Sequence, residues 1–261
     1  YRLPRFPQQG RNNYQMDTAQ AEWLDWGRGE NQAKTGWWVA DVNINPFNSD
    51  EVMYGTGATI YSTQNMTKIG TEPVTIAFDA YGLEETAVFK MLAPPSKDDS
   101  PQLYSIMGDL TGFAHKDVTQ CPDDAHFMKN GKPTDLDVAF QNPNTAVYLS
   151  EEKTTTINFT QDGGATWETV KHKPDPATGG QVAMSADGSS TIWVPNSISG
   201  KPYVTTDLGK TWYYVEGLGF NAKIAADRVN PKVFYATCDG LFYVSRDGGV
   251  TFESTGQMVA V

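Results

Sequence analysis

Short apolar runs separated by turn residues follow one another along most of the chain. The runs are rich in Val, Tyr, Phe, Thr and Trp, as in "TAVYLS" and "KVFYAT", and glycine and proline lie between them. No stretch sustains the 3.6-residue spacing of apolar positions that an amphipathic helix requires. The pattern is typical of short β-strands joined by tight turns, so the sequence predicts an all-β protein.

An octapeptide of the form Ser/Thr-x-Asp-x-Gly-x-Thr-Trp/Phe, the Asp-box, occurs three times. The copies "TQDGGATW", "TTDLGKTW" and "SRDGGVTF" begin at residues 160, 205 and 245 and are therefore 45 and 40 residues apart. The segment "STQNMT" is interpreted as a degenerate copy, because it follows an Asn-Pro and a β-rich run as the first and third copies do. Repeats of this length built from short strands are typical of a β-propeller with four-stranded blades.

Each Asp-box is interpreted as a hairpin turn between the third and fourth strands of a blade. Its aspartate is expected to bind the backbone of its own turn, its glycine to adopt positive φ, and its aromatic residue to pack into the blade. The aspartates are Asp162, Asp207 and Asp247, the glycines are Gly164, Gly209 and Gly249, and the aromatic residues are Trp167, Trp212 and Phe252. These aspartates are therefore predicted to be structural and not catalytic.

Five blades are predicted, with residues 1–35 leading into the first. Their approximate spans are residues 36–72, 84–118, 134–170, 180–215 and 221–255. All Asp-boxes would lie on one face of the propeller, and the turns between second and third strands would lie on the other. Those turns are residues 55–58, 108–113, 150–154, 195–202 and 237–240. This second face is where propellers usually bind ligands.

Asp109 lies in one of these turns, between Gly108 and Gly112. A carboxylate there has two interpretations, an ordinary turn aspartate or a residue that binds or reacts with a ligand. His115 either supports Asp109 through a hydrogen bond or is a solvated loop residue. Glu151, Glu152 and Asp239 are weaker candidates in turns on the same face.

Aromatic residues cluster before the first predicted blade. Trp37 and Trp38 enter its first strand, and Trp23 and Trp26 lie just upstream. One member of each pair is expected in the core and the other is available to stack on a sugar ring, although all four can also be packing residues.

The net charge excludes some classes of partner, whereas the bonding state of the two cysteines stays open. The formal net charge is −11, so the field of the molecule repels nucleic acid and anionic membrane, and no apolar run is long enough to span a bilayer. Cys121 and Cys238 lack metal-ligand spacing, and they are either free thiols or one long-range disulfide. No metal or cofactor is expected.

Two glycosylation triplets begin at Asn65 and Asn158 and favour a secreted, extracellular protein. The chain starts at Tyr1 without a methionine and ends on "MVAV", so we expect a mature or excised piece of a longer protein.

Four segments resemble, in order, parts of glycoside hydrolase family 74, the xyloglucan-specific endo-β-1,4-glucanases. They are "GWWVADVNINPFNSDEVMYGTGATIYSTQNMT", "LEETAVFKMLAPP", "LYSIMGDLTGFAHKDV" and "ADRVNPKVFYATCDGLFYVSRDGGVTF". The similarity runs from about residue 23 to residue 252. In that family two seven-bladed propellers stand in tandem around a cleft that holds the glucan. The resemblance implies that this chain is about five blades of the second, C-terminal propeller and that it lacks the N-terminal one.

The family cleaves with inversion through one aspartate from each propeller, and the second propeller's aspartate belongs to a G-D-I-G-G-F block. The resemblance implies that Asp109 is this catalytic residue and that the second carboxylate is absent from this chain. It also implies contacts to xyloglucan or a related β-glucan from the matching blocks, at Trp37, Trp38, Thr56, Gly57, Gly108, Gly112 and His115.

The block departs from the family at Leu110 and Thr111, where Ile-Gly is usual. If the turn needs positive φ at the second position, Thr111 carries the penalty of a β-branched residue or the turn takes another shape.

Three other functions compete with xyloglucan hydrolysis. A propeller that binds carbohydrate without cutting it is the main alternative. A sialidase needs an arginine cluster, whereas only six arginines are present and four of them precede the first predicted blade. A sorting receptor of the Asp-box type would leave the "GDLTGF" block unexplained.

Overall fold

The computed structural model describes residues 14–21, 24, 33–83, 87–95, 99–108, 111–120, 122, 132–151, 153–174, 178–196 and 200–259. Apart from one 3-10 turn at Met66–Lys68, the regular elements in these ranges are β-strands, so the all-β prediction is confirmed. Within the same ranges no helix has the length and apolar character needed to cross a bilayer. The chain divides into two compact units, Tyr1–Glu85 and Thr86–Val261.

The first unit contains one five-stranded sheet in the order β1-β5-β4-β3-β2. Its strands are β1 (Tyr14–Asp17), β2 (Asp41–Ile44), β3 (Val52–Gly55), β4 (Ile60–Thr63) and β5 (Val74–Phe78). Strands β2 to β5 pair antiparallel, whereas β1 pairs parallel with β5. The predicted lead-in therefore supplies a strand of the sheet, and the first predicted blade, ending at residue 72, stops short of β5.

The second unit contains one three-stranded and three four-stranded sheets, each antiparallel and in sequence order. The first holds β6 (Val88–Leu92), β7 (Leu103–Met107) and β8 (Thr111–His115); the second holds β9 (Lys132–Val138), β10 (Ala146–Glu151), β11 (Thr155–Thr160) and β12 (Glu168–Thr169). The third holds β13 (Gln181–Met184), β14 (Thr191–Val194), β15 (Tyr203–Thr205) and β16 (Tyr213–Tyr214). The fourth holds β17 (Lys223–Ala226), β18 (Phe234–Cys238), β19 (Leu241–Ser245) and β20 (Glu253–Met258).

Consecutive sheets of this unit pack face to face. Tyr104 of β7 shares one apolar cluster with Leu136 of β9, and Ile192 of β14 shares another with Phe234 of β18. Because a central sheet is covered on both faces, β14 is buried at every position and does not alternate. The outermost strands β16 and β20 are exposed throughout. Stacked four-stranded sheets of this kind are the arrangement that the repeats predict.

The three Asp-boxes form the same turn. Thr166 donates its backbone N–H and its hydroxyl to Asp162, at 2.9 and 2.5 Å, while Gly164 N donates to Thr160 Oγ1 at 3.0 Å. Asp207 and Asp247 repeat these bonds with Thr211 and Thr251. The glycines Gly164, Gly209 and Gly249 have φ of 87°, 81° and 90°, and Phe252 is buried. In each box the aspartate therefore binds the backbone and the threonine hydroxyl of its own turn.

The degenerate copy keeps part of this network around Asn65. Thr63 Oγ1 donates to Asn65 Oδ1 at 3.0 Å, as Thr160 does to Asp162. Asn65 Oδ1 also accepts the Thr75 backbone N–H at 2.9 Å and so ties the turn to strand β5. An amide therefore replaces the carboxylate as the organiser of this turn.

Candidate functional site

The turn between β7 and β8 is the predicted catalytic loop. Asp109 and Leu110 lie outside the described residues, but both residues that flank them are described. Met107 pairs with Thr111 across the antiparallel hairpin, so three residues, 108–110, connect the two strands. A Cβ at Gly108 would lie 2.9 Å from Phe89 Cζ, so a larger residue there would displace that ring.

Thr111 adopts the left-handed conformation, with φ of 69°. In three-residue hairpin loops the residue after the turn commonly takes this conformation, and glycine is favoured there because it lacks a Cβ. Within the described residues the Thr111 hydroxyl is buried and has no hydrogen-bond partner. Of the two outcomes expected for a threonine in place of the family's glycine, the structure shows the first. Residue 111 has positive φ, and the threonine carries the strain of that conformation.

His115 lies at the far end of β8 from this loop. It pairs with Leu103, and its Nε2 is 3.0 Å from Ser105 Oγ. His115 is four residue steps along the extended strand from Thr111, which corresponds to about 13 Å. Burial lowers the pKa of its imidazole. The alternative of a solvated loop residue is wrong, since His115 is half-buried within a strand. Gly112, on the same strand, is buried.

In the first unit, Trp37 and Trp38 pack over Gly57 in the β3–β4 turn. Gly57 N donates to Trp37 O at 2.7 Å, and a Cβ at Gly57 would lie 2.8 Å from Trp37 Nε1 and from Trp38 Cε3. The indole rings meet edge to face at 6.4 Å. Thr56 closes the turn by accepting the Ala58 N–H at 3.0 Å.

The two tryptophans differ in exposure, although both precede β2, which begins at Asp41, so strand alternation does not account for the difference. Trp37 is half-buried, and the ammonium group of Lys34 lies 4.6 Å from its ring centroid. Trp38 is 81% exposed and has φ of 53°, a left-handed conformation that is unusual for a tryptophan. Its ring is therefore available to a ligand.

Several other candidates fall outside the described residues, namely Trp23, Trp26, Cys121 and Glu152. Glu151 ends strand β10, and Asp239 lies in the β18–β19 turn with φ of 49°. Cys238 is a buried free thiol whose Sγ is 3.6 Å from Asp239 Oδ2, and burial raises its pKa.

The two predicted glycan acceptors differ. Asn158 is only 3% exposed, donates to Thr156 Oγ1 at 3.0 Å and accepts from Thr169 Oγ1 at 2.6 Å. A glycan has no path to solvent from this position, so Asn158 does not fit the predicted role. Asn65 is half-buried, and its Nδ2 donates to Pro73 O at 3.4 Å.

Sequence reasoning missed a pair of buried aspartates on β9. Asp135 and Asp137 are two residues apart and therefore share one face of the strand. Asp135 Oδ1 binds Lys90 Nζ at 2.7 Å, and Asp137 Oδ1 binds Arg228 Nη1 at 2.8 Å. Burial raises the pKa of Asp137, although Arg228 and the Met184 N–H act against it. The signal was two acidic residues at i and i+2 in the otherwise apolar run "TDLDVAF".

These two carboxylates also reach the next sheet. Asp135 Oδ2 accepts the Val182 N–H at 2.8 Å, and Asp137 Oδ2 accepts the Met184 N–H at 2.7 Å. Each therefore joins β9 to β13 through a backbone amide that the β13–β14 ladder leaves free. In the described part of the chain, no group of three or more His, Cys, Asp or Glu side chains is placed to hold a metal ion.

Comparisons with known proteins agree with this architecture. The chain is 40% identical over 252 residues to the xyloglucanase Xgh74A of Acetivibrio thermocellus, which covers 93% of the chain and 29% of the relative. It is 39% identical over 255 residues to a xyloglucanase of a Paenibacillus species, covering 93% and 24%. An oligoxyloglucan-reducing end-specific xyloglucanase of Emericella nidulans is 32% identical over 250 residues, covering 85% and 30%.

Solved structures match the fold. The GH74 xyloglucanase from Xanthomonas campestris superposes with a TM-score of 0.77 at 26% identity, covering 95% of this chain and 35% of that structure. The GH74 enzyme of Niastella koreensis gives a TM-score of 0.74 at 25% identity, covering 94% and 33%. No protein-family model matches the chain. The predicted β-propeller architecture and the resemblance to glycoside hydrolase family 74 are thus confirmed over nearly the whole chain, which spans less than a third of the length of these curated xyloglucanases.

Proposed function

We propose that the protein containing this chain hydrolyses the β-1,4-glucan backbone of xyloglucan with inversion. The observation that carries this proposal is the 40% identity to a xyloglucanase over 252 residues, including the segment around Asp109. In this proposal the chain supplies one catalytic carboxylate and part of the substrate-binding surface. The N-terminal propeller of the same protein supplies the second carboxylate.

Asp109 is the carboxylate that we assign to this chain. An inverting glycosidase needs a protonated acid that donates to the leaving glycosidic oxygen and a base that activates water on the opposite side, about 6.5 to 9.5 Å away. We assign Asp109 as the acid, which requires its pKa to be raised by partial burial. The pairing of Met107 with Thr111 supports this role, because it fixes the two strand ends that Asp109 connects.

Trp38 is the residue of the first unit that we propose to contact the glucan. Its exposed indole offers an apolar face to the axial hydrogens of a sugar ring, while Gly57 and Trp37 hold it in place. Thr56 completes this surface as a hydroxyl in the same turn. Gly108 leaves room for the Phe89 ring at the start of the catalytic loop, and Gly112 is buried in β8, so in this proposal both glycines support the loop and do not present open backbone to the glucan.

We also propose that the five sheets are blades of a seven-bladed ring that the rest of the protein completes. Every residue of β2 is exposed, including Val42 and Ile44 at 53% and 59%. An exposed strand with apolar side chains is an aggregation hazard, which further blades of the ring would remove.

A propeller that binds xyloglucan without cutting it is the second candidate. The observation that favours it is the strained Thr111 beside the catalytic loop, in place of a glycine. If this strain turns Asp109 away from the glycosidic oxygen, binding remains and hydrolysis is lost.

Reducing-end release from xyloglucan and from carboxymethyl cellulose distinguishes the two candidates. The complete protein should cut xyloglucan in preference to the unbranched polymer, and Asp109→Asn should lower the rate by about 10²- to 10⁴-fold. Asp187→Asn, an exposed aspartate in the turn between β13 and β14, is the matched control and should retain activity. Proton NMR of the first product should show the α-anomer, as inversion requires. A wild-type protein that binds xyloglucan and releases no reducing ends would establish the binding function instead.

We further propose that the protein is secreted, because its polymeric substrate lies outside the cell. Asn65 is the remaining candidate for a glycan. Its amide takes part in the β4–β5 turn, so an attached glycan would give up the bond from Nδ2 to Pro73. Assay of the culture medium and of the washed cells for the protein tests this location.

A further inference from the structure

A pocket of about 350 Å³ opens in the second unit where three innermost strands begin. Its walls come from the start of β9, from the start of β13 and from the segment that enters β17. Val194, Pro195 and Asn196, at the end of β14, close one side. All of these segments lie at the end of the sheets opposite the Asp-boxes, and no described residue of β7 or β8 lines the pocket.

The pocket wall is polar, and besides Asp135 its one charged lining residue among those described is Lys223, which is exposed at the start of β17. Gln181, Asn196 and Asn221 bring amide groups to it, Thr134 brings a hydroxyl, and Asp135 brings a carboxylate that Lys90 neutralises at 2.7 Å. Amides and hydroxyls both donate and accept hydrogen bonds, as the hydroxyls of a sugar do. The described residues around the pocket contain no cluster of acidic side chains that would hold a cation.

Some of these polar groups have no hydrogen-bond partner within the described part of the chain. Gln181 Oε1 accepts the Ile224 N–H at 3.0 Å, which fixes the amide and leaves Nε2 without a described partner. Thr134 Oγ1 is buried and also has none. Thr134 is the extra residue of a β-bulge, since Asp135 pairs with Leu149 and Pro133 with Ser150. Bulges frequently adjust the direction of a side chain beside a binding site.

Backbone geometry at the wall is unusual as well. Gly180 has φ of 107°, and a Cβ there would collide with Val194 O and Pro195 Cα. Asn221 has φ of 57°, so a non-glycine residue takes the left-handed conformation at the pocket edge. Strain of this kind concentrates at ligand sites.

We propose that this pocket binds one neutral sugar ring. The volume lies at the small end of the range for small-molecule sites, which is about 300 to 1,000 Å³, and favours a single ring over an oligosaccharide. The ring is either a free monosaccharide or the terminal sugar of a side chain on a polysaccharide. This binding does not depend on the hydrolytic function, because the pocket walls contain none of the residues assigned to hydrolysis.

Calorimetric titration of the complete protein tests the proposal. The five ligands are the methyl glycosides of xylose, galactose and glucose, a xylose-branched cello-oligosaccharide and its unbranched counterpart. Analysis of the products after titration establishes that the oligosaccharides stay intact. The double variant Thr134→Val with Asn196→Ala should weaken binding about tenfold or more, because it removes two hydrogen-bonding groups. Gln257→Ala on the exposed strand β20 is the control and should bind as wild type does.

The ligand set identifies the source of the sugar. If a methyl glycoside binds to the wild-type protein and binds more weakly to the double variant, the pocket is a site for a free or terminal sugar. Binding of the branched oligosaccharide alone, again weakened by the double variant, indicates a side chain of the polymer. Absence of binding to all five ligands, or binding that the double variant leaves unchanged, overturns the proposal. Reducing-end release is measured separately, so failure of this site and failure of the hydrolytic function are distinguishable.

Discussion

Arg228 and Asp137 form an ion pair at 2.8 Å that connects residues 91 positions apart in the sequence. Asp137 lies on β9, Arg228 follows β17, and the Met184 N–H of β13 donates to the same carboxylate at 2.7 Å. One side chain therefore joins the innermost strands of three consecutive sheets. Asp135 likewise joins β9 to the sheets on either side, because it binds Lys90 of β6 and accepts the Val182 N–H of β13.

Asp137→Ala should destabilise the second unit by about 3 to 5 kcal/mol, because it leaves Arg228 and the Met184 N–H without their buried partner. Hydrogen exchange of the peptide that contains β13 is the local measurement, and the Met184 amide should lose protection. Asp137→Asn keeps an acceptor oxygen and should cost less. Glu253→Ala, on the exposed strand β20, is the control. Unchanged protection in Asp137→Ala would mean that the ion pair does not hold the sheets together.

Acid should weaken the Asp-box turns. Burial is the largest single influence on Asp207 and opposes its ionisation, but hydrogen bonds from Thr211 and Thr205 together outweigh burial and lower the pKa of the carboxyl below its usual value. A carboxylate with a lowered folded-state pKa stabilises the protein above the unfolded pKa of about 3.9, and this contribution is lost as the pH falls through the folded value. Asp162 and Asp247 behave alike.

The measurement is the thermal midpoint between pH 7 and pH 2.5. The thermal midpoint of the wild-type protein should stay constant from pH 7 down to about pH 4 and should fall below that pH. Asp207→Asn should be less stable at pH 7 and should fall less steeply below pH 4, since it lacks one of the titrating groups. Glu253→Gln, an exposed carboxylate of β20, should follow the wild-type curve. An equally steep fall in Asp207→Asn would show that the acid sensitivity arises elsewhere.

Thr111→Gly should stabilise the β7–β8 hairpin by about 1 kcal/mol. The left-handed conformation costs a residue with a Cβ about 1 to 2 kcal/mol, and glycine removes this cost. The greater conformational entropy of glycine in the unfolded chain offsets part of the stabilisation. The change also removes a buried hydroxyl that has no described partner. Denaturant unfolding measures the difference, and Thr111→Ala is the control that keeps the Cβ. Destabilisation by glycine would mean that the threonine side chain holds the turn.

The repeats made the sheets and their turns predictable from the sequence, because each Asp-box carries its own hydrogen-bonding geometry within eight residues. The positive φ at Thr111 was foreseeable for the same reason, as it depends on the length of one hairpin loop. Asp135 and Asp137 were not identified, because their partners lie 45 and 91 residues away and only the packing of sheets brings them together. Asn158 was misjudged because its triplet does not reveal that β11 is buried.

Trp38→Ala tests the proposed glucan contact in the first unit. The side chain is 81% exposed, so its removal should leave the thermal midpoint unchanged, whereas Trp37→Ala should lower it because Trp37 is half-buried against Gly57. Loss of one stacking contact of about 0.5 to 1.5 kcal/mol should raise KM for xyloglucan up to about tenfold. A ring that binds substrate and transition state equally should leave kcat unchanged. Trp38→Phe keeps an aromatic face and should recover most of the affinity. If Trp38→Ala leaves KM unchanged, the exposed indole does not contact the polymer, and its left-handed backbone conformation serves the β3–β4 turn alone.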